Sequence, residues 1–173
     1  AVLLARGGHV VTVLSCDDSA APAAWKDGGP RSVALTIRDL VSGAVPRGAA
    51  DRPTQMLMGA DRARANEIVA AADAVHVHGM WATSNAQVAR MARRAGKRTV
   101  VTPHGMLDVW SMKQGTLKKR AFLKVVSGPM IRKADAVHFT ASAEAEQAAQ
   151  WLGEHRSIVT PPPIGRKPRR GTE

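Results

Sequence analysis

A single cysteine, no tyrosine and two phenylalanines stand in this chain of 173 residues. The lone Cys16 excludes an intramolecular disulfide framework and fits a reducing compartment. Four tryptophans complete a sparse aromatic set; with alanine and arginine so frequent, the sparseness reads as nucleotide-composition bias and carries no function. No apolar run approaches the length that spans a bilayer. The apolar start is ended by Arg6 too early for a signal peptide. Acidic residues are also scarce, 14 against 25 basic ones, which leaves a net charge of +11 and a pI near 11.0. That balance favours a partner carrying phosphate or an anionic surface without choosing among nucleic acid, lipid headgroup and sugar nucleotide.

The length suits one domain with a real core, or half of a two-domain protein. Two segments echo each other: Ala74-Val75-His76-Val77-His78-Gly79-Met80-Trp81 and Val100-Val101-Thr102-Pro103-His104-Gly105-Met106-Leu107. Each runs from a β-branched stretch into His-Gly-Met. A helix is expected between them, over 84–95. This strand–loop–helix–strand–loop grammar puts both His-Gly turns at the carboxyl ends of parallel strands, where open α/β sheets bind ligands.

Alternation of the same kind extends along the chain. A helix end closed by Gly7-Gly8 precedes a strand over 10–15, a loop over 17–30 and a weaker strand over 32–37. Residues 41–53 read as irregular. Helices are expected over 60–72, 116–133 and up to Leu152 from a cap at Thr140 or Ser142. Strands are expected at 98–102, 136–139 and 157–160. Pro161-Pro162-Pro163 then stops regular structure, and a basic tail follows. The expected fold is α/β, a Rossmann-like doubly wound parallel sheet. Residues 1–160 form the domain, 161–173 a Pro-rich hinge and tail. No internal repeat is expected beyond the His-Gly-Met echo.

Three histidines carry the first chemical candidates. His76 and His78 lie two apart on a strand and so share a face. His104 on the adjacent strand end offers a third imidazole, as a three-His zinc site requires. The alternative, one imidazole buried and hydrogen-bonded and another lining a pocket without metal, is preferred, because Asp108 is the only close carboxylate. His104 is the sharper candidate: Pro103 fixes the backbone before it, and Gly105 lets a ligand approach closely. An imidazole there can donate to a sugar hydroxyl or a developing charge, or simply be satisfied by a neighbouring carbonyl. Gly7-Gly8 ends a helix instead of following a strand, so it is no dinucleotide loop.

The basic stretch from Lys113 to Lys133 interleaves apolar residues and fits an anionic bilayer surface or phosphate contacts, though a solvated face over a packed one is the commoner arrangement. Phe122 is its one aromatic, too few for a base-stacking platform, and no nucleic-acid module is recognisable, so no nucleic acid is expected.

Four segments in order resemble the amino-terminal half of GT-B glycosyltransferases of the family 4 type. They are Leu4 to Leu14, Ala72 to Trp81, Thr102 to Asp108 with Trp110 and Lys118-Lys119-Arg120, and Ala134 to Thr140 with Glu144. The resemblance implies sugar transfer from a nucleotide-sugar donor to a sugar or lipid-linked acceptor, with retention of configuration and no essential metal. No cofactor is implied; the nucleotide-sugar is substrate. His104 matches the catalytic-loop histidine that contacts the transferred sugar. His78, Gly79, Gly105, Met106 and Lys119 would line the acceptor side. A first strand before Ala1 and a carboxyl-terminal donor domain are missing from the pattern. The chain is therefore expected to be a fragment, inactive until a donor half is supplied, cytoplasmic, and peripheral on the inner membrane face through the basic stretch. The competing expectation is a non-catalytic module that recruits a partner subunit or an anionic membrane.

Overall fold

A computed structural model describes residues 1–15, 25, 29–35, 37–39, 55–114 and 116–161. Cys16, most of the expected 17–30 loop, the irregular 41–53 stretch and the tail beyond Pro161 lie outside these residues.

Helix α1 (Val2–Arg6) ends at Gly7, and Gly8 takes a left-handed φ of 86° that turns the chain toward β1 (Thr12–Ser15). Strand β2 (Arg31–Ala34) pairs parallel with β1. The single strand expected over 32–37 is in fact two. After Leu35 the chain restarts as β3 (Ile37–Asp39), antiparallel to β4 (Gln55–Leu57), which the sequence reading did not foresee. A three-residue strand carries too little periodicity to announce itself. Gln87 compensates for the shortness of β4: its Oε1 accepts from Leu57 N at 2.8 Å and its Nε2 donates to Leu57 O at 3.1 Å, as a paired strand would.

Helix α2 (Gly59–Ala71) leads into β5 (Ala74–His78), and α3 (Thr83–Arg94) into β6 (Arg98–Thr102). Asp108 caps a short helix the sequence reading missed, α4 (Val109–Lys113), by accepting from Ser111 N. The single helix expected over 116–133 follows one path but changes winding. It runs as α5 (Thr116–Phe122), a π-helical turn (Leu123–Ser127) and α6 (Gly128–Arg132). The cause is local. Pro129 has no N–H for the carbonyl four residues back and its ring crowds that carbonyl, so the helix widens. Gly128 makes the widening possible: its N–H donates to Leu123 O, and a Cβ there would collide with that oxygen.

Strand β7 (Ala136–Phe139), helix α7 (Ser142–Leu152) and strand β8 (Ser157–Val159) complete the described chain. Strands β5-β6-β7-β8 form one parallel sheet in sequential order. Right-handed crossovers then place α3, the α5–α6 path and α7 on one face, where α3 packs on α6 and α6 on α7.

Alternation along the strands gives the two faces opposite characters. Val77, Val101, Val137 and Phe139 point into the main core with Met80, Leu107, Met112, Ile131 and Leu152. Each such large side chain contributes about 1.5–3 kcal/mol by leaving water. The other face carries His76, His78, Thr102 and His138, since register sets His78 beside Thr102 and Val101 beside Val137. A second cluster of Val33, Leu35, Leu57, Ala65, Val69, Met91 and Ala92 joins β2 and β4 to α2 and α3. Helix α3 serves both clusters, with Ala89 in one and Met91 and Ala92 in the other. Among the described residues, no helix is long and apolar enough to cross a membrane.

Candidate functional site

Both His-Gly turns stand at the carboxyl edge of the parallel sheet, on adjacent strands, and their histidines meet. His78 Nδ1 and His104 Nε2 lie 2.8 Å apart with rings stacked at 5.1 Å, so one proton is shared between them. His78 also stacks on His76 at 4.2 Å. Three sequence-nominated imidazoles are thus in one row.

The turns are held by side chains from elsewhere. Asn85, in the first turns of α3, donates to His78 O at 2.8 Å and to Gly79 O at 3.2 Å. Gly79 N donates to Thr102 O at 2.9 Å, and its φ of 80° is one a side chain rarely adopts. Around the second turn, His104 itself takes a φ of 56° and Gly105 one of 71°. His104 is the one non-glycine residue with positive φ among those described. A left-handed conformation costs a residue with a Cβ about 1–2 kcal/mol. Glu144 on α7 offsets this: one carboxylate oxygen accepts from Gly105 N at 2.6 Å, the other from Thr140 N and Thr140 Oγ1, both at 2.9 Å. Burial opposes the charge on Glu144, but these donors outweigh it and hold the carboxyl below its usual range.

The expected cap at Thr140 or Ser142 is corrected here. Ala141 occupies the N-cap, and Glu144, three residues on, reaches back to Thr140 and across to the His104 turn.

A hydrogen-bond chain runs from Thr160 through His138 and Thr102 to His76. His138 Nε2 is 3.1 Å from Thr160 O, a carbonyl that can only accept, so Nε2 donates. In the neutral ring His138 Nδ1 then accepts from Thr102 Oγ1 at 3.0 Å. The hydroxyl has given up its one proton, so it accepts from His76 Nε2 at 2.6 Å. With His138 neutral, His76 is the Nε2–H tautomer. His76 is exposed as a residue, yet desolvation of the covered part of its ring first, and the imidazoles of His78, His138 and His104 next, lower its pKa to about 4. Burial and then His104 lower that of His78 as well.

The imidazole nitrogens turn on one another and on Thr102 instead of converging on a point. Among the described residues no group of three or more His, Cys, Asp or Glu has the geometry to hold a metal ion.

The remaining nominated residues divide. Gly79 and Gly105 shape their turns as described. Met106 packs partly buried against the main core. Lys119 is drawn inward: its Nζ donates to Ser111 O at 2.6 Å and to Ser111 Oγ at 3.3 Å, and stands 5.5 Å over the Trp81 ring. It ties α5 to α4 and to the first turn, and makes no hydrogen bond to the histidine row. Ser127 Oγ donates to Met80 O, tying the π-turn to that same first turn.

Thr102, His138, Asn85 and Glu144 were not singled out as site residues from sequence. A signal for His138 was present: Ala-Asp-Ala-Val-His occurs at 72–76 and again at 134–138, a second internal repeat beside the His-Gly-Met echo. It puts His76 and His138 at matching places on β5 and β7, with ring centroids 5.9 Å apart.

A parallel sheet with ligand-type loops at its carboxyl edge defines a Rossmann-like α/β domain. The family described as glycosyl transferase 4-like domain matches residues 1–163. The chain belongs to that glycosyltransferase family. No curated protein and no solved structure gave a match.

Proposed function

We propose that this chain forms the acceptor side of a retaining GT-B glycosyltransferase, moving a sugar from a nucleotide-sugar donor to a hydroxyl of a sugar or lipid-linked acceptor. The observation that carries the reading is His104: an imidazole held in a costly left-handed turn at the ligand edge, clamped by Glu144 and joined to His78. Strain of that kind persists where the surroundings over-determine it, and it clusters at functional sites. His104 supplies a donor to a hydroxyl of the transferred sugar, and the charge developing on that sugar strengthens the contact. His78 orients His104. Gly79 and Gly105 let the acceptor approach the backbone, and Met106 gives that wall an apolar patch. Lys119 acts as a brace, given its bonds to Ser111. A donor-binding domain supplies the opposite wall, the reaction draws on no cofactor, and the enzyme works in the cytoplasm.

The test joins this chain to a donor-binding half and measures sugar transfer. His104→Ala is expected to lower kcat by about a hundredfold or more, the usual loss when a donor to developing charge is removed. Unchanged transfer by the variant would remove His104 from the mechanism. Transfer by no pairing at all would leave the chain a binding module.

A further inference from the structure

Residues 109–134 contain seven Lys or Arg and no Asp or Glu. A solvated basic face over a packed apolar one accounts for only part of this segment. Leu123 and Ser127 do turn inward, 7% and 0% exposed. The outward side is not simply polar, however. Leu117 and Val125, two turns apart, are 84% and 72% exposed, and Trp110 on the adjoining α4 is 72% exposed. Lys118 and Lys124 stand exposed among them, and Arg120, also exposed, lies 5.7 Å over the Trp151 ring of α7. Lys119 is turned inward to Ser111, so the cations that remain outward are those flanking the apolar tips.

We propose that this face of α4, α5 and the π-turn docks on an anionic lipid bilayer. Exposed apolar tips with exposed lysines among them are the pairing that an anionic bilayer surface takes. Tryptophan and aliphatic tips enter the headgroup–acyl boundary, while lysine and arginine stems lie along the apolar surface and carry their charges to the lipid phosphates. The absence of acid over the whole segment removes the repulsion an anionic surface would otherwise meet. Since α4 follows the His104 turn directly in the chain, docking brings that turn toward the lipid headgroups. The proposal does not rest on the transfer reading, because docking needs no reaction.

The test is flotation of the full chain with vesicles of phosphatidylcholine alone and of phosphatidylcholine mixed with phosphatidylglycerol. Binding to the anionic vesicles only is expected, weakening with salt. Trp110→Ser with Leu117→Ser and Val125→Ser, and separately Lys118→Glu with Lys124→Glu, should each lower the partition coefficient about tenfold or more. Both sets alter exposed side chains, and unchanged circular dichroism and thermal midpoint verify their folding. Equal flotation on neutral vesicles, none on anionic ones, or binding indifferent to both sets of substitutions overturns the proposal. So does a lipid-free dimer that the apolar set dissolves, which would assign the face to a second copy of the chain, or duplex DNA binding at near-physiological salt that the charge reversals abolish.

Discussion

The two His-Gly-Met turns share three residues in a row and spend them differently. In the first, His78 is the last residue of its strand, and the chain turns at once on Gly79. Met80 then drops into the core, fully buried. In the second, the strand ends at Thr102 and Pro103 intervenes, so His104 is two residues past the sheet. The turn needs two left-handed residues there, and burial falls one place later, on Leu107 at 1% exposed. An identical tripeptide thus gives a relaxed strand end in one loop and a strained, clamped imidazole in the other. Pro103 is the local cause: it cannot donate to a ladder, and its fixed φ sets where the reversal begins. Strain marks which of two similar histidines is the chemical candidate.

The largest expected difference lies in the clamps. Glu144→Ala removes an ionised acceptor from three donors and should cost about 1.5–3 kcal/mol in a denaturant titration, against about 0.5–1.5 kcal/mol for Asn85→Ala, whose bonds are neutral. Equal losses would show that the second turn holds itself. The carboxyl of Glu144 is depressed in the folded chain, so its contribution is present above its unfolded pKa and fades as pH falls through the folded one. Glu144→Gln should lose that acid sensitivity.

A smaller effect separates the histidines by sign. His104→Gly is expected to be more stable than His104→Ala by about 0.5–1 kcal/mol, since glycine adopts the left-handed turn without the cost of a Cβ. At His78, which ends a strand without a positive φ, glycine should be the worse of the two by about the same amount. Denaturation midpoints of the four variants measure it, and the same sign at both positions would erase the difference between the two turns.

The smallest expected effect is on titration, because solvent reaches part of the His76 ring. Its pKa near 4 in the folded chain, against 6.5 unfolded, means that the unfolded chain binds the proton first as pH falls. Stability should therefore be fully present above pH 6.5 and decline toward pH 4, with a shallower decline in His76→Asn. Ring-nitrogen NMR gives the midpoint directly and reports the Nε2–H tautomer. A midpoint near 6.5 would contradict the hydrogen-bonded, partly desolvated ring.

Much of this was legible in the chain. Strands at 98–102 and 136–139 fell where expected, the first on the β-branched run Thr99-Val100-Val101-Thr102 and the second on the apolar Val137 and Phe139 alternating with His138. The helices at α2, α3 and α7 announced themselves within a residue or two. Short elements did not: β4 and α4 are stabilised by Gln87 and Asp108, single side chains with no periodic signature.

By itself, the sequence determined the α/β alternation, the two turns at one sheet edge, the charge, and the likeness to a glycosyltransferase family. These follow from local periodicity and composition, which need no knowledge of neighbours. Tertiary structure alone decided that Thr102 and His138 form a hydrogen-bond chain with His76, and that Glu144, 40 residues after His104, holds its turn. It also decided that Lys119 points inward while Leu117 and Val125 point out. The reason is physical: hydrogen bonds and strain depend on distances between residues far apart in sequence, and only the packed sheet sets those distances.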